Sequence, residues 1–554
     1  MHPSVLIFNK NDDNIPKIEY VYISIIKSKI DSLALKHDLN QNLLFLAATC
    51  ITLTKYTNST QIFIKIKSKI NEKSIEVPLK FNDENRKRNV IDYIANLNDF
   101  FSNPKDYDEL LRQLTNQSHF NYIYNDLEDN DSNISLIIDE SSREYLLKLK
   151  FDANKYTFSY AGSFLRSIKK VLNQFVTCGI ENLKVEDIAL RDEKPPIKYE
   201  LKRSPLVNVL LENQANKTPE KTALVTCGKR YTFKQINDEA NRIANALIKR
   251  GIKKGSTISF MLARDKTLIT TFLGIIKAGC VAIPLDMNFP PARINYILKN
   301  SDSEYIITKE SFDGAIDPQD LIDSGDAGFP NVDLKADDPI FLLYTSGSTG
   351  NPKGVISTHC GISNLTATDI KNNYKRLLSI ASISFDISEE DILLAMTNDM
   401  ELVFANDDEI NDVVLLSNLL EETKPEFVNL TPSRLLSYLQ IPEFKSAIRH
   451  FKGIGCGGEQ FTRYVYDSIK ECADIDVYNG YGPLETSLTS NTKKILNPDF
   501  ITNGKPLLNY VTDVRDIDDK LLPYGVIGQL YIGGIGVSKG YYNMEEKRRR
   551  CLFL

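Results

Sequence analysis

A chain of 554 residues exceeds what one hydrophobic core can organise, so two to four domains are expected. Its 42% hydrophobic and 25% charged content is that of globular protein, and a net charge of −6 with a pI near 5.7 argues against a nucleic-acid or membrane-surface partner, either of which needs a basic face. The eight cysteines are scattered, with no CxxC pair and no Cys/His cluster at metal-ligand spacing, and no apolar run reaches membrane length, so a reducing, cytoplasmic setting is expected.

In chain order, Val5-Leu6-Ile7-Phe8 is too short for a signal segment. Residues 31–57 carry apolar side chains at helical spacing, and 60–66 alternate like a strand. Residues 89–101 and 163–176 read as amphipathic helices, with a probable hairpin of strands, 134–138 and 145–151, between them. The basic clusters 85–88 and 547–550 read as solvated surface. Residues 191–198, charged and Pro-rich, suit an exposed linker. Beyond it, 237–250 is a helix closed by Gly251, followed by strand 257–262, helix 266–278 and strand 280–285. That alternation specifies a parallel sheet covered on both faces, which binds ligands at the carboxyl ends of its strands.

Residues 341–354 stand out. Phe341-Leu342-Leu343-Tyr344 reads as a buried strand, and the chain then becomes Thr345-Ser346-Gly347-Ser348-Thr349-Gly350-Asn351-Pro352-Lys353-Gly354. Glycines let a backbone approach anionic oxygens, hydroxyls add donors, and Lys353 adds a mobile positive charge. The spacing is wrong for a Walker A loop.

This loop resembles the phosphate loop YTSGSTGxPKG of adenylate-forming enzymes. Other motifs resemble the same family in the same order: Tyr231-Thr232-Phe233, Lys277-Ala278-Gly279 through Asp286, Phe385-Asp386-Ile387-Ser388, Asn479-Gly480-Tyr481-Gly482-Pro483-Leu484-Glu485-Thr486, and Gly528 to Tyr541. The likeness covers roughly 204–543 and is to the amino-acid-activating adenylation domains of nonribosomal peptide synthetases. Residues 1–190 are similar, in order and spacing, to the C-terminal half of that family's condensation domain, without its HHxxxDG motif. None of His2, His37, His119, His359 and His450 adjoins another histidine. The implied fold class is α/β, the large N-terminal domain of an adenylate-forming enzyme, with parallel sheets, flanking helices and a partial β-barrel subdomain. An α+β half of a condensation or CoA-dependent acyltransferase-like fold precedes it. The implied domains are 1–190, a linker 191–205, and 206–554.

The resemblance implies ATP-dependent activation of an amino acid, giving aminoacyl-AMP and pyrophosphate. Thr345, Ser346, Gly347, Ser348, Thr349, Gly350 and Lys353 would hold phosphates, with Glu485 as the Mg²⁺ ligand. Lys353, Glu485 and Thr345 would serve catalysis. Gly457, Gly458, Glu459, Asn479, Tyr481, Gly482 and Thr486 would complete the nucleotide site. Asp386 would bind the substrate ammonium, and Ile387, Glu390, Asn429, Gly455, Gly457, Gly480, Leu488 and Thr489 would wall the side-chain pocket. Three glycines leave volume there, while Glu390 and Asn429 favour a polar side chain with a donor such as an amine or thiol. Plainer roles stay open: an N-cap at Asp386 for helix 388–396, a helix-terminal carboxylate at Glu485, a turn cap at Asp286, and a strand-end turn at 453–458.

The family's ribose-binding Asp motif, hinge and lysine-bearing subdomain have no counterpart after Asn543, and there is no carrier GGxSL motif. The expectation is a fragment with impaired adenylation. Phosphopantetheine would reside only on a carrier domain absent from this chain, and the partners would be amino acid, ATP, and a carrier domain or other synthetase modules. The alternatives are an acyl-CoA synthetase-like ligase and a catalytically silent nucleotide-binding or interaction fragment.

Overall fold

The computed structural model describes residues 17–57, 61–67, 74–80, 83–102, 120–124, 134–194, 198–345, 352–368 and 373–544. The readings made at residues 5–8, at 547–550, and at Ser346, Gly347, Ser348, Thr349, Gly350 and Asn351 lie outside them. So do His2, His119 and Cys551. Among the described residues no helix is long and apolar enough to cross a membrane.

Two compact units emerge. The first takes the described residues within 1–197 together with Thr512–Tyr531. Its six-stranded sheet runs in the order Ile18–Ile26, Glu144–Asp152, Ile134–Glu140, Phe120–Tyr124, Gln61–Lys67, Ser74–Lys80. The expected hairpin is present, as an antiparallel pairing of Ile134–Glu140 with Glu144–Asp152. Helices Gln41–Thr57 and Phe158–Cys178 bury Phe45, Ile51, Phe164 and Phe175 in the core of this unit. The helical reading of 31–57 needs correction: it is broken into Lys27–Lys36 and Gln41–Thr57, with Asp38 at φ 53° between them. That left-handed turn leaves Leu35 exposed.

Thr512–Tyr531 joins this first unit through Leu522 and Val526, which sit in its core. Buried charges reinforce the join: Lys55 is bonded to Asp516 and lies 3.4 Å from Asp518, which also takes Arg86. Arg86 is therefore part of an ion cluster, where the sequence suggested solvated surface. The charged residues after Leu190 are similarly engaged, with Arg515 bonded to both carboxylate oxygens of Glu193 at 2.9 and 2.7 Å.

The second unit takes Lys198–Val511 and the described residues from Ile532 on. One sheet has five strands, in the order Tyr305–Thr308, Thr257–Met261, Val281–Pro284, Pro339–Thr345, Lys353–Thr358. It is parallel except for its last pair. The other has nine strands, of which six run parallel: Thr222–Thr226, Glu401–Phe404, Arg376–Ser379, Phe427–Leu430, Gly453–Cys456 and Asp476–Tyr481. Tyr510–Arg515 and Gln529–Gly534 form a two-stranded sheet of their own.

Local chemistry sets the flanking helices. Thr232 caps Phe233–Lys249 through a reciprocal capping box with Gln235, and the helix buries Phe233, Ile236, Ala240, Ile243 and Leu247. Gly274 lets helix Lys266–Lys277 approach closely, since a Cβ there would stand 2.6 Å from Ile243. Arg264 follows the strand Thr257–Met261 of the smaller sheet and locks it to the larger one. Its guanidinium donates to the carbonyls of Ser379, Ala381 and Ala405 and stacks on Phe404, and burial lowers its pKa to about 10.

Candidate functional site

Strand Pro339–Thr345 pairs antiparallel with Lys353–Thr358, placing Thr345 opposite Lys353 at the two ends of the Gly/Ser/Thr loop. The pairing continues outward, with Ile356 N–H donating to the Gly540 carbonyl and Tyr542 N–H to the Gly354 carbonyl. Tyr541 is thereby held over the loop's basic end. The Lys353 ammonium lies 5.5 Å from the Tyr541 ring centroid, and the Tyr541 hydroxyl donates to Glu485 Oε1 at 2.5 Å. Among the described residues the second oxygen of Glu485 takes no hydrogen bond. A single carboxylate linked through Tyr541 to Lys353 fits Mg²⁺, which is held by one or two carboxylates plus substrate phosphates. A closed protein cage is not what the donor set provides: no group of three His, Cys, Asp or Glu at metal-binding distance occurs among the described residues.

A cavity of about 110 Å³ opens at the carboxyl ends of the parallel strands Phe427–Leu430, Gly453–Cys456 and Asp476–Tyr481. It is roughly an order larger than the space one water needs. Asp386, Ile387 and Glu390 line it from the first turns of helix Asp386–Met396. Asn429, Gly455, Gly457, Gly480, Leu488 and Thr489 line the opposing sides. Asp386 does not cap the helix. Phe385 holds that position without a side-chain bond, and Asp386 Oδ1 accepts its neighbour Ile387's N–H at 3.0 Å. Burial pushes the Asp386 carboxyl up, and the charge of Glu485 adds to the effect.

Glu390, one turn further along, accepts a hydrogen bond from Thr489 Oγ1 at 2.9 Å, and burial raises its pKa to about 7. Glycine at 455 has a steric reason: a Cβ there would lie 2.2 Å from Asn429 Oδ1. The Asn429 amide donates to the buried Asp391 at 2.9 Å, which fixes the wall. Gly482 allows the tight return to Ser490, since its Cβ would fall 1.9 Å from the Leu488 carbonyl oxygen. Ser487 and Leu488 both hold positive φ, 49° and 78°, within that return.

A family model described as AMP-binding enzyme matches residues 211–542. The chain belongs to that family. Bacitracin synthase 2 of Bacillus licheniformis is 31% identical over 350 residues, which are 61% of this chain and 13% of that protein. The chain thus spans a small fraction of its curated relative's length. The nonribosomal peptide synthetase FmoA3, in a form bound to α-methyl-L-serine-AMP, superposes with a TM-score of 0.80 at 16% identity, covering 96% of this chain and 68% of that one. Holo-AB3403, a four-domain nonribosomal peptide synthetase bound to AMP and glycine, gives a TM-score of 0.76 at 18% identity over 96% of this chain and 45% of that one. At these identities the solved structures establish the fold alone.

Within the AMP-binding domain, the expected pocket residues gather around one cavity. So do Gly457, Gly458, Tyr481 and Gly482 of the expected nucleotide site. Glu459, Asn479 and Thr486 are engaged elsewhere. Glu459 accepts the backbone N–H and hydroxyl of Ser433 at the start of helix Pro432–Tyr438, Asn479 donates to the Thr502 carbonyl, and Thr486 donates to the Pro483 carbonyl. Glu485 sits in a three-residue 3-10 turn, Leu484–Thr486. Asp286 does what its turn-cap reading expects, accepting the N–H of Asn288 at 2.8 Å. Sequence reasoning missed Leu365, Phe427, Leu430, Cys456, Tyr478 and Leu507 as cavity walls. For Phe427 and Tyr478, alternation with Asn429 and Gly480 along two of the cavity's own strands was the available signal.

Proposed function

We propose that the AMP-binding domain binds ATP and an amino acid and joins them as an aminoacyl-adenylate with release of pyrophosphate, as one step of nonribosomal peptide synthesis. The observation that carries this reading is the placement of Asp386: a carboxyl in a strand-end cavity, electrostatically coupled to Glu485, which Tyr541 links to Lys353. An acyl substrate has no cation to offer such a group, whereas an amino acid presents an ammonium beside its carboxylate.

The main difficulty of the reaction is gathering anions that repel one another. Lys353, fixed at the foot of a β-hairpin, would draw the nucleotide's phosphates toward Thr345 and the loop. Tyr481 offers a ring face to a base, and Gly457 and Gly458 permit close approach. Glu485 would hold Mg²⁺, which would supply positive charge against the phosphates. Asp386 would hold the ammonium so that the substrate carboxylate faces the α-phosphorus. Residues 1–190 we read as the condensation-like part of the same assembly line, with a carrier domain and other modules as partners and the cytoplasm as its setting. Superposition over 96% of the chain supports that reading of the first unit.

Titration calorimetry of the full chain tests the assignment. Mg·ATP should bind, and Lys353→Ala should weaken it by at least about tenfold. Asp386→Ala should spare ATP and abolish binding of non-hydrolysable aminoacyl-adenylate mimics. A chain that ignores ATP, or a D386A variant that keeps full affinity for such mimics, would overturn the proposal.

A further inference from the structure

The cavity holds two carboxyl groups where the ammonium of an ordinary amino acid needs one. Asp386 and Glu390 are at i and i+4 of helix Asp386–Met396, so both project from one face, about 6 Å apart along the axis. Neither is neutralised locally. Among the described residues lining the cavity there is no Lys, Arg or His, and the donor that reaches Glu390 is the neutral hydroxyl of Thr489. The lining also offers apolar side chains, Ile387, Phe427, Leu430 and Cys456 among them, and Gly455 and Gly480 leave room for a stem.

Resting on the adenylation reading above, we propose that this domain selects a diamino acid, whose α-ammonium meets Asp386 and whose side-chain ammonium meets Glu390 across an apolar stem of about ornithine or lysine length. The second ammonium gives Glu390 the charged partner that the protein itself withholds. Ionised Glu390 would otherwise stand in a low-dielectric cavity beside another acid, an arrangement that costs free energy without a ligand and is relieved by one. An aliphatic amino acid of the same length would leave that carboxyl desolvated with only the neutral Thr489 hydroxyl as partner, which is how a site of this kind rejects it. An acidic side chain would meet direct repulsion. The stem suits the apolar part of the lining, since long cationic side chains lay their methylenes along apolar surface.

The test uses the full chain and three non-hydrolysable aminoacyl-sulfamoyl adenosines that differ only in the aminoacyl side chain: ornithyl, norvalyl and glutamyl. Calorimetry should show the ornithyl compound binding at least about tenfold more tightly than the norvalyl one, which has the same carbon stem without the amine. The glutamyl compound should be the weakest. Glu390→Gln keeps the shape of the side chain and should bring ornithyl and norvalyl affinities to within about threefold of each other, by losing ornithyl affinity. If wild-type protein binds the norvalyl or glutamyl compound as tightly as the ornithyl one, the diamino acid assignment is wrong while the adenylation reading stands. If it binds none of the three, the adenylation reading falls and the substrate class with it.

Discussion

Four acids occupy six consecutive positions, 386–391, and the helix sorts them by face. Asp386 and Glu390 turn to the cavity, while Glu389 and Asp391 are fully buried. Glu389 has no hydrogen-bond partner on either oxygen, and burial holds its carboxyl well above the usual range. Such a group binds its proton more tightly folded than unfolded, so stability is highest in acid and falls as pH rises past the ordinary carboxylate range. Glu389→Met, which removes the unsatisfied group at similar volume, should therefore stabilise the domain by about 1–3 kcal/mol at pH 8 and by less at pH 5, as read from urea unfolding. Glu390 carries a pH signature of its own. With a pKa of about 7, and facing Asp386 and Asp391 on its helix and Tyr510 from a neighbouring strand, it ionises between pH 6 and 8. Affinity for a diamino ligand should rise across that interval in the wild type and stay flat in E390Q. His359 runs the other way. It accepts the Val207 N–H in a buried site, and its pKa falls to about 4, so its contribution to stability is lost as pH drops from about 6.5 toward 4.

At the scale of elements, the site depends on strand ends and the turns that follow them. Gly455→Ala would drive a methyl into Asn429 and break its hold on Asp391. Loss of adenylate-mimic binding with only moderate destabilisation is expected, measured by calorimetry beside thermal unfolding. Thr232→Ala is the contrasting case. It deletes a capping box far along the chain from the cavity residues and should cost about 1 kcal/mol of stability while leaving ligand affinity unchanged. In the second unit, helices Phe233–Lys249 and Lys266–Lys277 were legible, because each carries both a side-chain cap and an apolar stripe. The strands Thr257–Met261 and Val281–Pro284 were likewise legible, as short apolar runs. The first unit was harder. Strand Ile18–Ile26 pairs with Glu144–Asp152 along its whole length, yet its sequence, Ile-Glu-Tyr-Val-Tyr-Ile-Ser-Ile-Ile, does not alternate cleanly and passed unread. Its partner lies more than a hundred residues away, where no local pattern points back to it.

On the scale of the molecule, each unit is held partly by buried charge. In the first, Lys55 meets Asp516 and Asp518 across more than four hundred residues of sequence. Lys55→Met would remove the cation bonded to Asp516, while Arg86 stays on Asp518, a loss of about 3–5 kcal/mol by the usual cost of breaking a buried pair. Hydrogen exchange should quicken in helix Gln41–Thr57 and in 512–526. In the second unit, Lys277 is 1% exposed and is held by Glu212 at 2.9 Å, with the side-chain oxygens of Asn237 and Asn241 at 2.6 and 2.8 Å. This lysine lies inside a motif that resembles the family's, and its structural work is to tie three helices together.

The sequence by itself pointed to residues that the structure gathers around one cavity, Asp386, Glu390 and Asn429 among them, because motifs at short spacings along strand ends and turns resemble those of a known family. It also determined the alternation of strand and helix that puts strand ends together. What the tertiary structure alone decided was which groups share a dielectric environment. Asp386 feels Glu485, Glu390 stands in the cavity without a cation, and Asp516 completes a charge cluster begun at Lys55. Those relations depend on distances between residues far apart in the chain, and burial and Coulomb energies follow distance in space, not position in sequence.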